Sequence, residues 1–229
     1  MTITPTTLTR AAGVAAVASG LIFIAVQVNH PHLDVTSITT TEMAIRSTMK
    51  ALMAVLALVG ITGMYLSQVP RNGKLGLAGY LVLSAGYLLI MSTALVAASI
   101  LPLVAGTDPA FVTDAIAIST GGTASGDVGL LAYLSKAQDL GYLLGGLIFG
   151  IALFRAHVLA RWACALLAVG GVVTIALSVM PDAFYRLLAL PNGIAMIGLG
   201  YSLFRTARTN HDAHASTVIG RPVATAPAQ

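Results

Sequence analysis

Long apolar stretches alternate with short polar connections along most of the chain. The hydrocarbon core of a bilayer is about 30 Å thick, so a helix that crosses it needs about 20 mostly apolar residues. Six stretches reach this length, and they predict an all-α fold, an integral membrane bundle of six transmembrane helices. The predicted helices cover residues 11–29, 43–66, 75–101, 129–153, 158–180 and 185–204.

The pattern divides the chain into three regions. We expect residues 1–10 to be a cytoplasmic N-terminus and residues 11–204 to be the transmembrane domain. Residues 205–229 lose their hydrophobicity and gain Pro, Thr and Ala, which predicts a disordered cytoplasmic tail. Between the third and fourth predicted helices, Asp108-Pro109 is typical of a helix start. We therefore predict a short interfacial helix on the outer side, near residues 108–119.

The composition agrees with a multi-pass protein of the cell membrane. Hydrophobic residues make up 57% of the 229 residues, charged residues make up 9%, and the mean hydropathy is +0.88. This is more apolar surface than a soluble core of the same length buries. The formal net charge of +4 does not indicate a nucleic-acid partner, because the basic residues are spread along helix ends.

The distribution of charge predicts which side of the bundle faces the cytoplasm, because cytoplasmic loops are enriched in Lys and Arg. Eight of the twelve Lys and Arg residues fall on one side: Arg10, Arg71, Lys74, Arg155, Arg161, Arg205, Arg208 and Arg221. Seven of the eight acidic residues fall on the other side: Asp34, Glu42, Asp108, Asp114, Asp127, Asp139 and Asp182. We therefore predict that both termini are cytoplasmic.

The segment LSKAQDLGYLLGGLIFG, residues 134–150, carries Lys136 and Asp139 in an otherwise apolar helix. A charge at the centre of a membrane helix costs about 2.5–3.5 kcal/mol and usually faces protein or water. Gly146 and Gly150 share the helical stripe of this pair, and small residues mark faces where helices approach closely. The pattern predicts that both charges point into the bundle.

Polar residues at other helix ends also lie toward the acidic side. Together they predict one ligand-binding cluster in the outer half of the bundle. Its candidate residues are Gln27, His30, Arg46, Lys50, Lys136, Asp139, Arg186 and Asn192. Four of them are cations, an excess that suits a ligand with a phosphate or a carboxylate. The structural alternative is that Lys136 and Asp139 neutralise each other and fix helix packing.

Three functions fit these residues. The first is a binding or accessory protein whose outward-facing polar pocket holds a membrane lipid or an isoprenoid-like lipophilic molecule. The second is an enzyme, an integral-membrane terpene cyclase of isomerase or lyase type, in which Asp139 is the candidate catalytic acid. Against it, the chain is only 6% aromatic, and Lys136 favours the ionised form of Asp139. The third is a small transporter subunit, which a kink at Pro191-Asn192-Gly193 would suit.

The sequence predicts no metal and no cofactor, and it indicates no oligomeric state. Cys164 is the only cysteine, so no multi-cysteine site is available. His30 and His32 flank Pro31, but a zinc site needs further ligands, and the other histidines fall on the cytoplasmic side.

The stretch AQDLGYLLGGLIFGIALFRAHVLARWACALLAVGGVV resembles the DUF4386-like family of uncharacterised bacterial multi-pass membrane proteins. In that family a glycine-rich helix is followed by a short basic turn with Arg-Trp and another apolar helix. The stretches AAGVAAVASGLIFIAVQVNHP and GITGMYLSQVPRNGKLGLAGYLVLSAG resemble the same group, so the likeness covers most of residues 11–204. Relatives often carry a glutamate before the Ile-Leu-Pro motif; here Ala97, Ala98 and Ser99 stand there. The resemblance implies a multi-pass bundle and no established activity.

Overall fold

The computed structural model describes residues 4–178 and 189–219, with side chains for residues 4–170 and 190–208. This described part of the chain is helical and contains no β-strand. Its elements, in chain order, are α1 (Pro5–Ala25), a 3₁₀ helix (Ser37–Thr39), α2 (Thr41–Leu66), α3 (Val69–Ser99), α4 (Leu101–Val104), α5 (Pro109–Ser119), α6 (Leu131–Ala156), α7 (Arg161–Ser178) and α8 (Ala189–Ile219).

Four segments within the described residues are long and apolar enough to cross a membrane. They are α1, α2, the continuous segment Val69–Val104 that contains α3 and α4, and α6. In α7, the part with described side chains, Arg161–Gly170, is apolar but shorter. The structure is therefore that of an all-helical membrane protein, with four candidate spans where the sequence predicts six.

The six long helices close into a ring. α1 packs between α2 and α8, α3 packs between α2 and α6, and α7 packs between α6 and α8. Neighbours run in opposite directions, since Gly79 and Gly86 of α3 lie against Phe149 and Tyr142 of α6. One end of the ring carries the connections 26–40 and 100–130, and we call it the acidic end. The opposite end, with the turns after α2 and α6, is the basic end.

Close backbone contacts hold the ring together. A Cβ atom on Gly13 would lie 2.8 Å from the carbonyl oxygen of Gly200, nearer than real Cβ atoms come. In lipid, helices associate by such close packing because no hydrophobic force drives them together. Large side chains fill the space inside the ring, among them Tyr87, Phe149, Met196, Leu199 and Leu203.

The turn between α2 and α3 depends on Gly73. Its dihedral angles, φ 54° and ψ −155°, lie in a region open essentially only to glycine. Pro70 is the second residue of α3. The bend at Gly73 separates this first turn from the long apolar remainder of the helix. Gly73 therefore lets α2 and α3 lie side by side after a very short connection.

A small cap packs against the ends of α2, α3 and α6 at the acidic end of the ring. Its apolar core contains Ile38, Met43, Leu101, Val112 and Ile116, all of them buried. α5 belongs to this cap and lies where the sequence predicts a short helix. The carboxylate of Asp108 accepts the N–H of Phe111 at 2.9 Å and so caps the helix start. The buried face of α5 therefore packs against protein.

Acidic residues of the cap bind backbone groups. The carboxylate oxygens of Asp114 accept the N–H groups of Ser125 and Gly126 at 2.8 Å each. Asp34 accepts the N–H of Ser37 at 2.7 Å, and this bond is the main cause that lowers the pKa of Asp34 below its ordinary value. These carboxylates fix the turns of the cap, which accounts for part of the acidity predicted for this side.

The C-terminal part of α8 differs from the predicted tail. The sequence predicts disorder from residue 205, whereas α8 continues to Ile219. Residues 205–219 contain no Gly or Pro, the residues that most disfavour a helix. The next such residues after Gly200 are Gly220 and Pro222. Residues 220–229 lie outside the described residues.

Candidate functional site

An apolar groove of about 640 Å³ runs between α1 and α2 at the acidic end. Its walls are Leu21, Ile22, Ala25, Val26, Ile45 and Met49, and Glu42 and Arg46 add the charged groups. Leu21 and Ile45 are 55% and 58% exposed, so the groove opens to the outer surface of the ring. The volume falls in the range of small-molecule sites, about 300–1,000 Å³.

The guanidinium of Arg46 caps the C-terminal end of α1. Its Nη1 donates to the carbonyl oxygens of Val26 at 2.9 Å and Val28 at 3.0 Å, and its Nη2 donates to that of Asn29 at 3.2 Å. Carbonyl groups at a helix C-terminus have no further helical N–H to accept. Arg46 supplies these donors from the neighbouring helix, and its positive charge suits the negative end of the helix dipole.

Glu42 holds the same guanidinium from one turn earlier on α2. Arg46 Nε donates to Glu42 Oε1 at 2.9 Å, and Nη2 lies 2.8 Å from the same oxygen. The two side chains form a pair with no net charge. Glu42 is not among the predicted site residues, although its spacing of four residues from Arg46 is the signal of a helical ion pair.

Lys50 and His30 meet beside this pair. His30 is buried, with its Nδ1 2.8 Å from the carbonyl oxygen of Pro31 and its Nε2 3.4 Å from Lys50 Nζ. An ammonium group only donates, so Nε2 accepts from Lys50 and Nδ1–H donates to Pro31. Gln27, at the end of α1, is half-buried. Four predicted site residues therefore lie around the junction of α1 and α2.

Lys136 and Asp139 lie elsewhere, on α6, which packs mainly against α3 and α7. Both side chains are exposed, so the prediction that they point into the bundle is wrong. Gly146 and Gly150, on the same stripe, are buried further along the helix. At this level α6 meets α3 through Gln138, which accepts a hydrogen bond from Thr93 at 2.6 Å, and not through the face of Lys136 and Asp139. Lys136 and Asp139 form no ion pair in the described part of the chain.

Asn192 belongs to the contact between α7 and α8. It is 3% exposed, and a Cβ on Gly170 of α7 would collide with its side-chain amide. Arg186 lies outside the described residues. The predicted single cluster is thus divided over at least three places in the ring.

The side chains of the described residues include no group of three or more His, Cys, Asp or Glu residues that could hold a metal ion. Comparisons of the chain with protein-family models, with curated proteins and with solved structures found no match. The resemblance to the DUF4386-like family therefore stays a prediction.

Proposed function

We propose that this protein binds a membrane lipid or an isoprenoid-like lipophilic molecule in the groove between α1 and α2. The observation that carries the proposal is the combination of apolar walls with one fixed charged pair, Arg46 and Glu42. Such a site buries a hydrocarbon chain and leaves polar groups to orient the other end of the ligand. The walls alone would bind any acyl chain, whereas the pair adds selectivity for a head group.

The charges at the groove favour a neutral or zwitterionic head group. Four cations and an anionic ligand were expected from the sequence, but Glu42 neutralises Arg46, and Lys136 lies on another side of the ring. Lys50 contacts His30 and does not line the groove, and Arg186 lies outside the described residues. A head group with both donors and acceptors matches the pair better than a phosphate monoester does. The terpene cyclase hypothesis gains no support, since its candidate acid, Asp139, is exposed and does not line the groove.

The proposal includes six spans and cytoplasmic termini, supported by the excess of Arg and Lys at the basic end. A reporter domain that is active only in the cytoplasm is expected to be active when it is fused after Gln229. A reporter that is active only outside the cytoplasm is expected to be inactive at the same position. Activity of a periplasmic or extracellular reporter at this position would overturn the proposed orientation.

Photo-crosslinking in native membranes tests the groove. We expect a benzophenone side chain at Met49, which lines the groove, to capture one lipid class in excess of its membrane abundance. The matched control is Leu88 on α3, which is 49% exposed and lies outside the groove. It should capture lipids in proportion to their abundance. Identical products at the two positions would show that the groove is ordinary lipid-facing surface.

A further inference from the structure

A second groove lies at the basic end, between α7 and α8. It has a volume of about 320 Å³, and its lining includes Trp162, Gly198, Tyr201, Ser202 and Arg205. Trp162 and Tyr201 are 57% and 58% exposed. Exposed aromatic side chains with one polar edge are typical of the interface between hydrocarbon and head groups. These two side chains therefore favour a position of the groove at the level of lipid head groups.

Gly198 forms the floor of this groove. A Cβ atom at this position would collide with the indole ring of Trp162. The missing side chain lets the edge of the indole ring approach the backbone of α8, so that an apolar strip lines the same groove as the arginine. A lipid chain could cover this strip while its head group remains at the level of Arg205.

The charges around the groove are positive. The guanidinium of Arg205 lies over the ring of Tyr201, 5.8 Å from its centroid, and that of Arg161 lies over Phe154 at 4.3 Å. These rings hold the two cations near the surface. The sequence places only one acidic residue on this side, Asp212. The basic end is thus complementary to an anionic surface.

Hydrogen-bond donors complete the match to a phosphate. Ser202 Oγ accepts the N–H of Ala160 at 2.9 Å, and its hydroxyl can still donate a proton. The indole N–H of Trp162 and the N–H groups of Arg205 are donors only. Phosphate oxygens are acceptors, and guanidinium groups bind them by charge-assisted hydrogen bonds.

We infer that this groove binds an anionic phospholipid, with its phosphate at Arg205 and an acyl chain along Trp162 and Gly198. This site is at the opposite end of the ring from the α1–α2 groove, and it is independent of the proposed function. Its role would be to select the lipids that surround α7 and α8.

Fluorescence of Trp162, the only tryptophan of the chain, tests this inference. The full chain is reconstituted in mixed phosphatidylcholine and phosphatidylglycerol vesicles, with bromine on the acyl chains of one lipid at a time. At equal mole fractions we expect brominated phosphatidylglycerol to be enriched at the indole about fivefold, the effect of one arginine near a membrane surface. High salt should reduce this preference. Equal quenching by the two lipids would overturn the inference.

Two charge variants localise the effect. Arg205→Gln should bring the quenching by the two lipids to the same level. Arg71→Gln removes an exposed arginine from the same end but not from the groove, and it should leave the preference unchanged. If Arg71→Gln reduces the preference as much as Arg205→Gln does, the effect is general surface charge and the inference fails. The unmodified chain gives a decisive comparison even if Arg205→Gln does not fold.

Discussion

Gly145→Ala is expected to lower the free energy of unfolding by about 2–3 kcal/mol, the upper part of the usual cost of overpacking. A Cβ atom at this position would collide with the backbone of Leu83 on α3. A backbone cannot move aside like the end of a flexible side chain, so α3 and α6 would have to separate. Thermal unfolding in mild detergent measures the effect, and for a chain of this length each kcal/mol shifts the midpoint by about 2–4 °C.

The neighbouring glycine is a matched control. The nearest atom to a Cβ on Gly146 would be the carbonyl oxygen of Leu167 at 3.5 Å, an ordinary contact. Alanine is the better helix former by about 1 kcal/mol. Gly146→Ala is therefore expected to leave the midpoint unchanged or to raise it. Equal losses in the two variants would contradict the packing described for α3 and α6.

Arg46→Leu is expected to lower the free energy of unfolding by about 2–3 kcal/mol, because hydrogen bonds to a charged group contribute about 1.5–3 kcal/mol. The variant leaves three carbonyl groups at the end of α1 without their donor. Arg46→Lys keeps the charge but not the planar fork, and its loss should be smaller. The same unfolding assay measures both variants.

Glu42→Gln separates the two roles of Arg46. An exposed helical ion pair contributes about 0.3–0.5 kcal/mol, so the loss of this charge should be hard to detect. If Glu42→Gln lowers the free energy of unfolding as much as Arg46→Leu does, the guanidinium stabilises the protein mainly through the ion pair and not by capping α1.

Features that depend on one segment could be predicted from the sequence. Asp108-Pro109 marks the start of α5, and runs of apolar residues mark α1, α2, α3 and α6. The spacing of Glu42 and Arg46 is also sufficient to predict their ion pair. Each of these signals is local, since capping and helical neighbours involve residues within one or two turns.

Features that depend on two helices could not be predicted. The exposure of Lys136 and Asp139 depends on how the neighbouring helices pack around α6, which no periodicity in α6 contains. The groove lies between residues of α1 and α2, and the sequence of each helix alone shows only ordinary apolar residues there. The capping of α1 by Arg46 likewise depends on hydrogen bonds between residues 17–20 positions apart.

The central claim is that the α1–α2 groove holds a lipophilic ligand, and native mass spectrometry of the protein released from mild detergent tests it most directly. Ala25→Trp fills the groove, whereas Val14→Trp adds the same ring to an exposed position of α1 outside it. We expect the unmodified protein and Val14→Trp to carry one bound lipid or isoprenoid mass, and Ala25→Trp to lose it. An unmodified protein without bound ligand, or a ligand that persists in Ala25→Trp, would contradict the proposed function.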